Sequence, residues 1–239
     1  MDTPPDLDRP AHRRTVVSFV NRGGRMTVGQ TRAWERLWPA LGRDVAALPD
    51  GPLDLAGWFG RQAPVLLEIG PGMGETTAAL AQAAPELNHL AVDVFQAGLA
   101  QLSMRVEAAG IENLRLLRGD AVVLLERHIP AGSLSGVRIF YPDPWPKKKH
   151  HKRRLVQPSF MALVASRLEP GGRVHLATDW AEYAEQMLEV CSAEPLLRNV
   201  HSDVDAGWAP RPDWRPRTKF ESRAEEEGRV SRDLIFERG

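Results

Sequence analysis

The fifteen residues from Phe140 to Arg154, F-Y-P-D-P-W-P-K-K-K-H-H-K-R-R, place a lone carboxylate, Asp143, between two prolines. Six Lys or Arg and two His follow within the eight residues from Lys147. The whole chain has 31 basic and 31 acidic residues and a net charge of zero, so the cluster is a local feature and not part of a basic average. Pro142 and Pro144 fix φ on both sides of Asp143 and limit its freedom. A fixed carboxylate beside concentrated positive charge is suited to holding a nucleobase edge together with the phosphates that carry it.

Three further carboxylates stand at regular intervals upstream. Glu68 lies inside the apolar run Val65–Ile69, just before Gly70-Pro71-Gly72-Met73-Gly74. Glycines after a strand let the backbone turn tightly and approach a ligand. The position that a dinucleotide fingerprint reserves for its last glycine is Glu75, which speaks against a nicotinamide cofactor. A carboxylate before the turn repels a pyrophosphate but accepts a bond from an ammonium group, which favours S-adenosylmethionine over NAD. Asp93 follows the second apolar run and can accept from ribose hydroxyls. Asp120 follows the third and can accept from the exocyclic amine of adenine. Each of these two could instead be only a helix N-cap. Trp145 is read as a loop anchor or as a base-stacking surface. His150 and His151 lack partners at metal-ligand spacing, so no metal is expected.

The elements that must position these residues alternate between types. Apolar runs are at Val65–Ile69, His89–Asp93, Leu114–Leu117, Gly136–Tyr141 and Arg173–Ala177, with a late run at 229–236. Helical patterns lie between them, at 76–84, up to about Ala109, from Ala121, at 158–168 and at 179–191, after an earlier helix at 27–41. Continuous apolar strands separated by helices predict an α/β fold with a mostly parallel sheet covered on both faces. Residues 1–25 carry prolines, glycines and five arginines without apolar periodicity and read as a flexible tail. Residues 26–239 read as one domain. The single cysteine, Cys191, excludes an internal disulfide. No apolar run approaches the roughly 20 residues that cross a bilayer. The N-terminus is unlike a signal peptide, so a cytoplasmic protein without membrane association is expected.

Phe140 to Lys148, followed by His150 to Arg154, resembles the signature of the bacterial tRNA (guanine-N7-)-methyltransferases. Glu68–Gly74, Thr178-Asp179-Trp180 and Thr218-Lys219-Phe220-Glu221 resemble the family's cofactor loop, post-strand motif and C-terminal motif. The resemblance runs from about Arg32 to Arg238. It implies a Rossmann-like class I methyltransferase with a seven-stranded sheet, using S-adenosylmethionine without a metal and releasing S-adenosylhomocysteine. It implies tRNA as partner, methylated at N7 of a variable-loop guanine, by a monomer or homodimer. By the same resemblance, Glu68, Gly70, Gly72, Gly74, Asp93, Asp120 and Asp143 hold the cofactor, and Asp143 is the catalytic residue. Lys147, Asp179 and Thr218, Lys219, Phe220 and Glu221 hold substrate. Lys148, Lys149, His150, His151, Lys152, Arg153 and Arg154 contact RNA. Two positions depart from the family pattern: its second-strand acid is often glutamate, and an aromatic often stands where Pro71 is. From the residues alone, a same-fold methyltransferase with another substrate and a non-catalytic RNA-binding protein remain alternatives.

Overall fold

A computed structural model describes residues 18–19, 25–217 and 219–239, excluding the side chains of Asp205, Lys219 and Phe220. Apart from Ser18, Phe19 and Arg25, the expected tail lies outside the described residues, as does Thr218. Helix α1 (Val28–Leu41) opens on Thr27, whose hydroxyl accepts from Gln30 N while the Gln30 side chain accepts from Thr27 N. Such reciprocal capping satisfies two donors that the first turn leaves open. Trp34 and Trp38, one turn apart, stack at 3.8 Å. Strand β1 (Gly42–Asp44) follows at once, then the short α2 (Leu55–Phe59).

The central alternation then begins: β2 (Val65–Ile69), α3 (Glu75–Ala83), β3 (Asn88–Asp93), α4 (Gln96–Ala109), β4 (Leu114–Arg118), α5 (Ala121–Arg127) and β5 (Leu134–Phe140). It continues through α6 (Pro158–Arg167), β6 (Leu168–Thr178), α7 (Ala181–Ser192), β7 (Leu197–Asn199), α8 (Lys219–Glu226) and β8 (Arg232–Arg238). The sheet order is β1-β4-β3-β2-β5-β6-β8-β7, parallel throughout except for β8, which is antiparallel to both β6 and β7. The expected seven strands are therefore eight. The addition is β1, a three-residue edge strand that pairs with β4 from Gly42↔Leu116 to Asp44↔Arg118. Strand β6 also starts earlier than the apolar run Arg173–Ala177, with a register shift against β5 between Leu134 and Gly136.

One face of the sheet packs on α2, α5, α6 and α7 through residues such as Leu67, Leu124, Met161 and Met187. The other packs on α1, α3 and α4 through Ala81, Leu99, Leu102 and Leu116. Along that second face the register lines up Ala91, Glu68, Arg138 and His175 across β3, β2, β5 and β6. Over Arg138 and His175 the cover is the indole of Trp214 in place of a helix. The strand order reverses at β2, with β3 and β4 on one side and β5 and β6 on the other, which opens a crevice at the carboxyl ends of those strands.

Candidate active site

The crevice is a cavity of about 440 Å³. All seven residues expected to hold a cofactor line it: Glu68, Gly70, Gly72, Gly74, Asp93, Asp120 and Asp143. Glu68 is at the end of β2, buried, with Oε1 accepting from the Thr77 hydroxyl at 3.0 Å. Burial pushes its pKa up to about 7, against the pull of the Arg138 charge and the Thr77 hydrogen bond. Gly70, Gly72 and Gly74 have φ of 78°, 58° and 72°. That left-handed region disfavours any residue with a Cβ. A Cβ on Gly70 or Gly72 would meet nothing within 4 Å, so the bare backbone there borders open space in the cavity.

Asp93 serves as both brace and lining. Its Oδ2 accepts from Gly72 N at 3.3 Å and its Oδ1 from Phe95 N at 3.0 Å, which ties the glycine turn to the start of α4. Burial raises its pKa, the backbone N–H groups of Phe95 and Gly72 oppose this, and the Asp143 charge adds to the rise. Asp120 caps α5 by accepting from Val122 N at 2.9 Å while it also lines the cavity. Capping and cavity lining therefore coincide in this residue.

Asp143 follows a bent approach. Tyr141 has φ of 51° and Trp145 has φ of 45°, two of the three non-glycine residues at positive φ among the described residues. Such conformations cost about 1–3 kcal/mol each and persist where surrounding contacts over-determine them. Tyr141 N donates to Ala177 O at 2.8 Å, and the Tyr141 hydroxyl bonds Ser231 Oγ at 3.1 Å.

The basic run forms a short 3-10 turn over Lys148–Arg153. Lys147, Lys148, Lys149 and Lys152 are exposed, and His150, His151 and Arg153 are half-buried. The Arg153 guanidinium sits 3.8 Å over the Trp145 indole, and His150 meets that indole edge-on at 5.9 Å. Trp145 Nε1 donates to Ser18 O and Arg153 Nη2 to Phe19 O, both at 3.3 Å, and Ser18 and Phe19 line the cavity. Trp145 is thus a loop anchor here.

Arg154 departs from the expected RNA-facing row. It is buried, donating from Nε to Pro144 O at 2.8 Å and from Nη1 to Gln186 Oε1 at 2.6 Å. A buried guanidinium needs such acceptors, and here they clamp the end of the basic turn onto α7. Glu221 departs similarly: it is buried and accepts from Arg211 Nε at 2.6 Å and Arg215 Nη2 at 3.2 Å. Asp179 accepts from Arg229 Nε at 2.8 Å and, like Lys147, stands outside the cavity lining. The backbone of Lys219 and Phe220 opens α8.

The reading of single residues did not single out Arg138, Arg211, Arg215, His175 or Asp233. Arg138 in the apolar run Gly136–Tyr141 carried a usable signal, because a charge in a buried strand must find a partner.

The strand order around β2, the glycine turn and the acids at successive strand ends define a class I methyltransferase. A family model described as "Putative methyltransferase" matches residues 62–234. The tRNA (guanine-N(7)-)-methyltransferase of Bordetella pertussis strain Tohama I is 52% identical over 234 residues, covering 98% of this chain and 88% of the relative. That of Idiomarina loihiensis is 52% identical over 223 residues, covering 93% and 89%. A solved 16S rRNA methyltransferase, KamB, shares the fold at a TM-score of 0.50 and 16% identity, over 75% of this chain and 90% of that one. The chain belongs to the tRNA (guanine-N(7)-)-methyltransferase family.

Proposed function

We propose that this protein transfers a methyl group from S-adenosylmethionine to N7 of a guanine in the variable loop of tRNA. The observation that carries this reading is the placement of Asp143 in the lining of a carboxylate-lined cavity, a few residues before an exposed basic turn. The residues fit the cofactor. Gly70 and Gly72 leave their Cβ space open toward the cavity, and carboxylates at three strand ends offer acceptors for an ammonium group, ribose hydroxyls and an amine. Glu68, Gly70, Gly72, Gly74, Asp93, Asp120 and Asp143 would hold it. When bound, S-adenosylmethionine supplies a methyl group activated on a sulfonium and is left as S-adenosylhomocysteine.

Guanine N7 carries a lone pair and no proton, so the chain need not supply a general base. What it must supply is alignment and charge. Asp143 accepts from the N1 and N2 hydrogens of guanine and offsets the positive charge that N7 alkylation places on the ring. Lys147, Lys148, Lys149, His150, His151, Lys152 and Arg153 bind phosphates on the approach. The family resemblance puts Asp179 and Thr218 to Phe220 among the substrate-binding positions, while Arg154 and Glu221 are tied inside the protein.

The test is incubation with methyl-labelled S-adenosylmethionine and bulk tRNA, followed by digestion to nucleosides. Label in N7-methylguanosine is expected. Label in any other nucleoside overturns the reading.

A further inference from the structure

Arg215 is fully buried between two carboxylates, Glu221 and Asp233, each about 1% exposed. Its Nη2 donates to Asp233 Oδ2 at 2.8 Å and to Glu221 Oε1 at 3.2 Å. Its Nη1 donates to Glu221 Oε2 and to the Tyr141 hydroxyl, both at 3.2 Å. On the far side, His175 Nε2 donates to Asp233 Oδ1 at 2.6 Å. Burial holds the His175 pKa below its ordinary value, although Asp233 opposes this. One guanidinium thus joins the end of β5, the start of α8, β8 and, through Asp233, β6.

Buried ion pairs seldom stabilise a fold better than apolar packing would, so their presence calls for a geometric reason. The reason here is Tyr141. Its left-handed φ must be held from several sides, and the hydroxyl between Ser231 and Arg215 supplies two of them. Pro142, the one residue between Tyr141 and Asp143, has a fixed φ, which removes one torsion that could absorb a rotation at Tyr141 before it reaches the carboxylate. We propose that Arg215 is a positioning residue for the methyl transfer, fixing Asp143 through Tyr141 while it anchors Glu221 of the C-terminal motif. This rests on the proposed activity at that site.

The test compares Arg215→Lys, Tyr141→Phe and the double variant. Lysine keeps the charge but cannot serve three acceptors in a fixed plane. Tyr141→Phe removes one hydroxyl and leaves the ion pairs intact. In each single variant kcat is expected to fall about ten- to a hundred-fold, the scale that misplacement by up to about 1 Å produces. Cofactor binding should remain detectable by calorimetry, and the double variant should be no slower than the worse single one, the signature of a shared path. Unchanged kcat in folded Tyr141→Phe, or single effects that multiply, would overturn the proposal. If Arg215→Lys does not fold, Tyr141→Phe decides alone through kcat at unchanged Tm. A wild-type protein that forms no N7-methylguanosine refutes the activity instead. The positioning claim is then decided by a crystal structure of Tyr141→Phe: a displaced Asp143 carboxylate supports it and an unmoved one overturns it.

Discussion

Glu68 keeps a carboxyl group where burial disfavours its charge, and this has a consequence for stability without ligand. Its pKa rises from 4.5 to about 7 on folding. Between those values the folded protein holds a proton that the unfolded chain has released, so stability falls as pH rises through that window and the loss is complete above it. At 1.36 kcal/mol per unit the loss reaches about 3 kcal/mol. His89 acts in the opposite sense, since burial lowers its pKa to about 4 and stability is lost as pH falls from 6.5 toward that value. Only the Glu68 contribution disappears in Glu68→Gln. Urea unfolding of the ligand-free proteins from pH 4 to 8 should show the variant gaining on wild type as pH rises, and parallel curves would refute the assignment. Asp143 is a separate case because the electrostatic role proposed for it acts on the substrate. Asp143→Asn keeps the shape and removes the charge, and kcat should fall about 10²- to 10³-fold, the scale seen when one preorganised electrostatic partner is lost. Calorimetry should still detect cofactor binding, and near-normal turnover would remove the electrostatic role.

Helix α4 enters the site through its first turn. A Cβ on Gly98 would run into the carbonyl oxygen of Gly72 and the ring of Phe95, so this glycine lets the helix dock against the cofactor turn that Asp93 ties down. Gly98→Ala forces the two apart. Overpacking of this kind costs about 1–3 kcal/mol in stability. The displaced turn should weaken cofactor affinity by at least about ten-fold, as measured by calorimetry, if the cofactor is held at this turn as proposed. Affinity equal to wild type would mean that the contact is not restrictive. The elements that carry this geometry were readable in the sequence because β2 to β5 are apolar runs, the first three closing at glycine or acid and the last at the Pro142-Asp143-Pro144 turn. Strands β1 and β7 were not readable, because Gly42-Arg43-Asp44 and Leu197-Arg198-Asn199 are too short and polar to show a period, and neighbouring strands alone fix them. Helix α8 was not readable either, because its sequence, Lys219 to Glu226, is almost wholly charged or polar. The four cavity acids were legible from their positions at strand ends. The inward turn of Arg154 and Glu221 was not, since it depends on Gln186 and Arg215, whose proximity only the completed sheet and helices create.

A chain with 31 charges of each sign has no net attraction for a polyanion, so recognition of RNA depends on how the charges are distributed. Folding consumes many of the basic groups internally: Arg154, Arg211, Arg215 and Arg229 all have partners within the protein. The lysines at 147, 148, 149 and 152 are left exposed on one turn beside the cavity. This segregation separates two kinds of arginine and lysine that look alike in the sequence. Each phosphate contact adds about −0.7 to −0.9 to the slope of log affinity against log salt. The double variant Lys148→Gln, Lys149→Gln should therefore flatten the slope for tRNA by about 1.4 to 1.8 and leave Tm unchanged. Arg154→Gln should do the reverse, leaving the slope within error and lowering stability by about 1–3 kcal/mol through the acceptors it abandons inside. Fluorescence anisotropy with labelled tRNA from 50 to 200 mM salt, together with thermal unfolding, measures both. A slope that falls in Arg154→Gln as it does in the lysine variant would place Arg154 on the RNA after all. A slope insensitive to the lysines would move the RNA-binding surface away from this turn.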